Sequence, residues 1–154
     1  MRTTERGGIR GYDAGKKVAG RKRHLLVDTL GLIPLVCVHP ANVQDRDGAR
    51  LLLATLRERY GWLGCIWADG GYAGALIQWV RALRPSRGTR LEIVQHPKAL
   101  HRFKVLPRRW IVERTFAWLG RSRRLSKDYE HTVTSSESFI YIAMVRSMLK
   151  RLAR

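Results

Sequence analysis

The chain has 154 residues, 45% of them hydrophobic, and its 30 Lys and Arg against 12 Asp and Glu give a formal net charge of +18. A chain near this size buries roughly 68–70% of its unfolded surface, and its hydrophobic content argues against disorder, so we predict one folded domain over residues 1–154. The charge predicts a polyanionic partner, with nucleic acid first, because each neutralised phosphate releases counterions.

Neither a membrane span nor a secretion signal is predicted. The longest apolar run, Leu32 to Val38, is interrupted by Pro34 and is far shorter than the roughly 20 residues that a spanning helix needs. The opening MRTTERGG contains no apolar signal segment. Cys37 and Cys65 each lie in an apolar run, and their spacing matches no metal motif, so we expect two buried thiols in a reducing compartment, the cytoplasm.

The chain begins with a segment rich in Lys, Arg and Gly that has neither helical nor strand periodicity, which predicts a basic flexible lead-in over residues 1–22. Two apolar, β-branched runs follow, His24 to Asp28 and Leu32 to His39, with Thr29 to Gly31 between them. This pattern predicts a β-hairpin. Pro34 lacks an amide hydrogen and therefore predicts an edge position for the second strand.

Helices and strands then alternate along the chain. The predicted elements are a helix over 49–60 after a polar capping stretch at 42–47, a strand over 64–71, a helix over 73–83, a strand over 91–95, a basic loop over 96–106, a helix from Pro107 to residue 125 that weakens near Gly120, and a last helix over 138–152 capped by Ser135 or Ser136. This order predicts an α/β fold.

Asp69 lies in IWADGGYAG, near the carboxyl end of the predicted strand over 64–71. Open α/β sheets commonly bind ligands at this end of their strands, and Gly70 and Gly71 leave room for a phosphate or a metal ion. An aspartate at such a position also starts turns and caps helices. The sequence favours a ligand-binding role and a purely structural role for Asp69 equally. Tyr72, beside the glycines, is a further candidate for contact with DNA.

Glu113 is the only acidic residue between Lys98 and Lys127, a stretch that contains ten basic residues. An ion pair with Arg109, four residues earlier on the same predicted helix, explains this glutamate about as well as a metal-ligand role does. Two carboxylates on separate elements of a basic protein favour divalent-metal phosphoryl chemistry, because Mg²⁺ prefers oxygen ligands and bridges to substrate phosphates.

Four blocks follow one another along nearly the whole chain: GYDAGKKVAGRKRHLLVDTLGL, HPANVQDRDGA, WADGGYAG and WIVERTFAWLGRSRRLSKDYE. In this order they resemble the carboxy-terminal part of the insertion-sequence-five group of DDE transposases, within the insertion-sequence-four-like superfamily. The resemblance implies an RNase H-like core, a mixed sheet flanked by helices, that carries out DNA transposition for a bacterial insertion sequence. It also implies a nucleoid-associated protein.

The resemblance assigns catalytic and metal-binding roles to Asp69, as the second aspartate of a carboxylate triad, and to Glu113, as its final glutamate. Three such carboxylates hold two Mg²⁺ ions for in-line attack on a phosphodiester of double-stranded DNA, at the element ends and at the target. Arg109 matches the arginine one helical turn before the glutamate. Leu106 and Gly120 stand where the related signature has a tyrosine and a lysine.

In similar proteins the first aspartate lies on the first core strand, a few residues before the stretch that resembles TTERGG, and this chain opens MRTTERGG. We therefore expect that the first strand and its aspartate are absent, and that the isolated chain binds DNA but cuts it poorly or not at all. A fusion partner from an overlapping upstream frame is one explanation, and a decayed gene copy is the other.

Ten basic residues, taken from the lead-in and from the segment that begins with the Glu113 helix, are the expected DNA contacts: Lys16, Lys17, Arg21, Lys22, Arg23, Arg109, Arg121, Arg123, Arg124 and Lys127. A homodimer is a further hypothesis. The alternative function is a non-catalytic basic DNA-binding protein or transposition inhibitor. Divalent-metal binding that depends on Asp69 and Glu113 distinguishes the two functions.

Overall fold

The computed structural model describes residues 2–3, 8–83, 88–94 and 109–153, with the backbone alone at residues 57, 58 and 109. In chain order the strands are β1 (Gly11–Asp13), β2 (Val18–Leu26), β3 (Leu35–Pro40), β4 (Cys65–Ala68) and β5 (Arg90–Ile93), and the helices are α1 (Asp45–Ala54), α2 (Leu56–Arg59), α3 (Ala75–Leu83), α4 (Arg109–Gly120) and α5 (Val133–Leu152). The predicted α/β class is confirmed, with strands flanked by helices as expected of an RNase H-like domain.

The chain divides into two compact units, the first made of residues 1–44 and 111–154 and the second of residues 45–110. The first unit contains a three-stranded antiparallel sheet in the order β1-β2-β3. The second contains the two-stranded parallel sheet of β4 and β5. The strands that the structure describes therefore lie in two sheets, where the sequence predicted one mixed sheet.

The predicted hairpin is confirmed, and it is longer than expected. β2 pairs with β3 from Arg21 opposite Pro40 to Leu26 opposite Leu35, and β3 lies at the sheet edge as Pro34 predicted. The amino-terminal part of β2 pairs with β1. Residues 18–22 are therefore strand, and the prediction of a flexible lead-in is wrong for them and for Gly11–Asp13.

The turn between β2 and β3 depends on one aspartate and one glycine. The Asp28 Oδ1 accepts hydrogen bonds from the backbone N–H of Leu30 and of Leu32, at 2.9 and 2.8 Å. Gly31 adopts φ +84°, and a Cβ built on it would lie 2.9 Å from side-chain atoms of Thr115 and of Trp118. A glycine is required here, because any side chain would be strained in the backbone and would clash with α4.

Helices α4 and α5 complete the core of the first unit. Their buried side chains join those of the hairpin in one cluster, which contains Ile33, Val36, Val38, Leu119, Leu125, Ile140 and Met144. The outward N–H groups of the edge strand are also satisfied by α5: Val36 donates to the Tyr141 hydroxyl at 3.2 Å and Val38 donates to the Glu137 Oε1 at 2.8 Å. The edge of β3 is thus covered, which hinders pairing with another chain.

Both predicted carboxy-terminal helices are present, and two of their boundaries differ from the predictions. α4 ends at Gly120, where weakening was predicted, and does not continue to residue 125 as predicted, because Arg123–Leu125 form a separate 3-10 helix. Pro107 and the basic loop over 96–106 lie outside the described residues. α5 begins at Val133, with Thr132 as its N-cap accepting from the N–H of Ser135 at 3.1 Å. The prediction of a Ser135 or Ser136 cap is wrong, because Ser136 is buried and donates to Asp128 instead.

The second unit packs α1, α2 and α3 with the strands β4 and β5. Its buried apolar residues come from all of these elements and include Leu52, Leu53, Leu56, Ile66, Leu76, Val80 and Leu91. β4 and β5 run parallel, with Cys65 opposite Arg90 and Ala68 opposite Ile93. The predicted helices and strands of this unit are all present, although the helix predicted over 49–60 begins earlier and is interrupted at Thr55.

Both cysteines are free thiols and are partly exposed, so the expectation of full burial is wrong. Burial nevertheless raises the pKa of the Cys37 thiol, and the negative charge of Glu137 raises it further. No helix in the described part of the chain has the length and apolarity needed to cross a bilayer.

Candidate functional site

Asp69 follows the last residue of β4 and is partly buried. Its Oδ1 accepts the backbone N–H of Gly71 at 2.9 Å, and Asp69 is thereby the N-cap of a single 3-10 turn over Gly70–Tyr72. The turn-starting interpretation is confirmed for this oxygen. The Oδ2 makes no hydrogen bond with the residues that the structure describes, so Asp69 retains an oxygen for a ligand.

The first turn of α1 supports the segment that carries Asp69. The Arg46 Nε donates to the carbonyl oxygen of Gly71 at 3.2 Å, and the carboxylates of Asp45 and Asp69 both act electrostatically on the Tyr72 hydroxyl. Sequence reasoning did not identify Asp45 and Arg46 as part of this region. The block HPANVQDRDGA contains them, but a contact across some 25 residues leaves no local pattern to detect it by.

Tyr72 is held in its neutral form. Burial is the main cause that raises its pKa to about 12, and the charges of Asp45 and Asp69 add to it. We expect the absorbance at 295 nm in an alkaline titration to show a component near pH 12 that is absent in Tyr72→Phe. The control Tyr12→Phe should retain this component, because Tyr12 is 56% exposed.

The sign of the accompanying stability change follows from the raised pKa of Tyr72. Stability from the neutral phenol is complete below pH 10 and is lost as the pH rises through about 12, because the unfolded chain deprotonates first. The alkaline loss of stability should therefore be smaller in Tyr72→Phe than in the wild type. Persistence of the component near pH 12 in Tyr72→Phe would assign it to another tyrosine and contradict the prediction.

Glu113 lies on α4, in the first unit, and its side chain is exposed. Its neighbours attach the helix to the hairpin turn: the buried Thr115 donates its hydroxyl to the carbonyl of Gly31 at 3.0 Å, and Arg114 donates to the carbonyl of Leu30 at 3.1 Å. Glu113 is therefore presented from a fixed segment of helix. The Arg109 side chain lies outside the described residues, so the ion-pair alternative stays open.

Asp69 belongs to the second unit and Glu113 to the first. Within the described ranges, no three His, Cys, Asp or Glu side chains are grouped so that they could hold a metal ion. The metal-binding and catalytic roles of Asp69 and Glu113 therefore stay predictions.

Arg21 is not a surface residue. It is fully buried, and its guanidinium forms an ion pair with Asp128 at 3.2 Å. It also donates to the carbonyl oxygens of Ile9 at 2.7 Å, Glu130 at 3.0 Å and His131 at 2.8 Å. This burial contradicts the predicted contact of Arg21 with DNA, and its role is to hold the chain after α4 against β2.

Lys22 and Arg23, the next two predicted DNA contacts, are also occupied in the fold. The Lys22 ammonium donates to the carbonyl of Val43 at 2.9 Å and pairs with Asp13 at 3.3 Å. The Arg23 guanidinium donates to the carbonyl of Leu125 at 3.2 Å, and burial lowers its pKa, an effect that the charge of Asp128 opposes. Both side chains are only partly exposed, and the contacts that the structure gives them are within the protein.

The other predicted DNA contacts that the structure describes are exposed, and they are Lys16, Lys17, Arg121, Arg123, Arg124 and Lys127. Arg124 is held by Glu130, with its Nη2 2.6 Å and its Nε 3.0 Å from the Glu130 Oε1. These exposed cations are placed where phosphates have access to them, and the DNA contact itself stays a prediction.

A family model described as the transposase DDE domain matches residues 1–148 of the chain. No curated protein and no solved structure matches it.

Proposed function

Since this chain belongs to the transposase DDE domain family, whose model matches residues 1–148, we propose a role for it in transposition. In this proposal the chain carries out the DNA-binding and metal-binding steps at the ends of an insertion sequence. The family membership establishes transposition as the function class and DNA as the substrate class. Assignment to the insertion-sequence-five group rests on the four sequence blocks. The observation that supports the proposal most is the Asp69 carboxylate at the end of β4, with one oxygen used by the fold and one left for a ligand.

The donor atoms suit Mg²⁺, which is the cofactor that we propose. Mg²⁺ takes oxygen ligands, keeps several waters and is commonly held by one or two carboxylates together with substrate phosphates. The Asp69 Oδ2 and the exposed Glu113 carboxylate are ligands of this kind. When bound, the ion supplies charge that stabilises the phosphoryl group during in-line attack.

The protein's own residues bind and position the nucleic acid. The exposed Arg121, Arg123 and Lys127 follow α4 within eight residues of its end, and they neutralise backbone phosphates. Arg46 and the cap on Gly71 hold the Asp69 segment in one conformation, which reduces the ordering needed when DNA binds. A dimer and an association with the nucleoid stay predictions.

The DNA interface is tested by charge removal. We expect the double variant Arg121→Gln/Lys127→Gln to bind duplex DNA more weakly and to lower the slope of log affinity against log salt by about 1.8, at about 0.9 per lost phosphate contact. Arg90→Gln is the matched control, because Arg90 has a side chain 71% exposed and lies outside the predicted contacts. Fluorescence anisotropy across a salt series measures the slope for each variant. A slope for the double variant equal to that of the Arg90→Gln control would contradict this interface.

The non-catalytic binder remains the second candidate, and the net charge of +18 favours it as much as it favours the transposase. The two functions differ in what Asp69 and Glu113 do. A binder that uses charge alone has no need of either carboxylate, and its metal affinity is unaffected by their removal.

A further inference from the structure

A shallow pocket of about 410 Å³ lies just beyond α4, lined by Arg123, Arg124 and Tyr129. Its members come from the short 3-10 helix Arg123–Leu125 and from the segment that leads to α5. Tyr129 is 42% exposed, so part of its ring is open to solvent. We call this surface the Tyr129 pocket.

Arg124 forms the fixed wall of the Tyr129 pocket. Its guanidinium carbon lies 5.7 Å from the ring centroid of Tyr129 and 4.8 Å from that of Phe139, and the side chain is bonded to Glu130. Glu130 neutralises this charge, so Arg124 acts mainly through its position and its flat guanidinium. Arg124 lies over one face of the Tyr129 ring and is attracted to it, so a ligand can reach only the rest of the ring.

Arg123 contributes the charge. Its side chain is exposed and forms no hydrogen bond or ion pair with any residue that the structure describes. An uncompensated guanidinium at the rim of a concave surface is suited to bind one phosphate, and a neighbouring aromatic face is suited to stack on one base.

The backbone under the pocket is attached to β2 on both sides. Arg23 binds the carbonyl of Leu125, and Arg21 binds the carboxylate of Asp128 and the carbonyl of Glu130. Asp128 also accepts the buried hydroxyl of Ser136, in the first turn of α5. The backbone that carries the pocket is therefore held in place, which lowers the cost of ordering it around a ligand.

We propose that the Tyr129 pocket binds one unpaired nucleotide of DNA, with the base stacked on Tyr129 and a phosphate on Arg123; this inference rests on the proposed function. The ligand is unpaired because the base faces of a duplex are covered by their neighbours, so a protein ring reaches them only on single-stranded or extruded nucleotides. A site for phosphate alone would have no use for the exposed ring.

The test compares two DNA probes on the full chain by fluorescence anisotropy. One is a blunt duplex and the other is the same duplex with a short single-stranded overhang. We expect wild type to prefer the overhang and Tyr129→Ala to reduce that preference by roughly 5- to 150-fold. Tyr129→Phe should retain it, because the aromatic ring is the part that stacks. Tyr12→Ala is the matched control, since Tyr12 is another exposed tyrosine.

The second variant is Arg123→Gln, which should lower the salt slope for the overhang probe by about 0.7, as expected for one lost contact with a single strand. Three results would overturn the proposal without contradicting duplex binding. Wild type could bind both probes with equal affinity, Tyr129→Ala could keep the preference for the overhang, or Tyr129→Phe could lose as much of that preference as Tyr129→Ala. Failure of wild type to bind either probe would instead contradict the proposed function.

Discussion

Asp128→Ala is expected to lower the free energy of unfolding by about 3–5 kcal/mol, because it leaves the Arg21 guanidinium buried without its carboxylate. Both side chains are almost completely enclosed, at 0% and 1% exposure. Asp128 also accepts hydrogen bonds from the Ser136 hydroxyl at 3.1 Å and from the N–H of Glu130 at 3.2 Å. Its removal therefore leaves the Ser136 hydroxyl and the Glu130 N–H without this acceptor, and the Arg21 charge is then opposed by backbone carbonyls alone. Urea unfolding followed by circular dichroism measures the change.

A surface ion pair provides the comparison for Asp128→Ala. Asp47 and Arg50 are 3.7 Å apart with side chains 58% and 43% exposed, so Asp47→Ala should change stability by no more than about 1 kcal/mol. The double variant Arg21→Met/Asp128→Leu should recover part of the loss, because no charge is left unpaired. Recovery is incomplete because the carbonyls of Ile9, Glu130 and His131 lose their donor. Similar small losses for Asp128→Ala and Asp47→Ala would contradict the structural role assigned to the buried pair.

Asp69→Asn and Glu113→Gln are each expected to weaken the binding of Mn²⁺ to the protein–DNA complex by at least about tenfold. Loss of a residue that only hydrogen-bonds a metal ligand already lowers metal affinity by about 10–100-fold. Mn²⁺ is used in place of Mg²⁺ because electron paramagnetic resonance counts its free and bound forms. The readout does not depend on DNA cleavage. Asp69→Asn keeps a carbonyl oxygen that accepts the N–H of Gly71, so the 3-10 turn is retained.

The control for the metal measurement is Asp47→Asn, which removes the same charge from an exposed position on α1. It should leave Mn²⁺ affinity unchanged. If Asp69→Asn and Glu113→Gln also leave it unchanged while DNA binding persists, the non-catalytic DNA-binding protein becomes the better description of the chain. Loss in only one of them would place the metal with that carboxylate alone.

Local patterns predicted the element types well. The apolar runs around Thr29 to Gly31 form the hairpin, and the strand that ends before Asp69 and the helix that carries Glu113 are where their periodicity placed them. These features are encoded within a few residues of one another, so sequence alone is enough to find them. The boundary at Thr132 was missed because Thr132, Thr134, Ser135 and Ser136 are all of a type that caps helices, and the local pattern does not choose between them.

The sequence by itself determined the basic charge, the α/β class and the family, since each depends on composition or on contiguous blocks. Only the tertiary structure decided which cations are available to DNA. Arg21 and Arg123 look alike in a basic run, yet Arg21 is buried against Asp128, 107 residues away, and Arg123 lines an open pocket. A pairing over that separation has no local signal, because it arises from packing of the segment before α5 on β2.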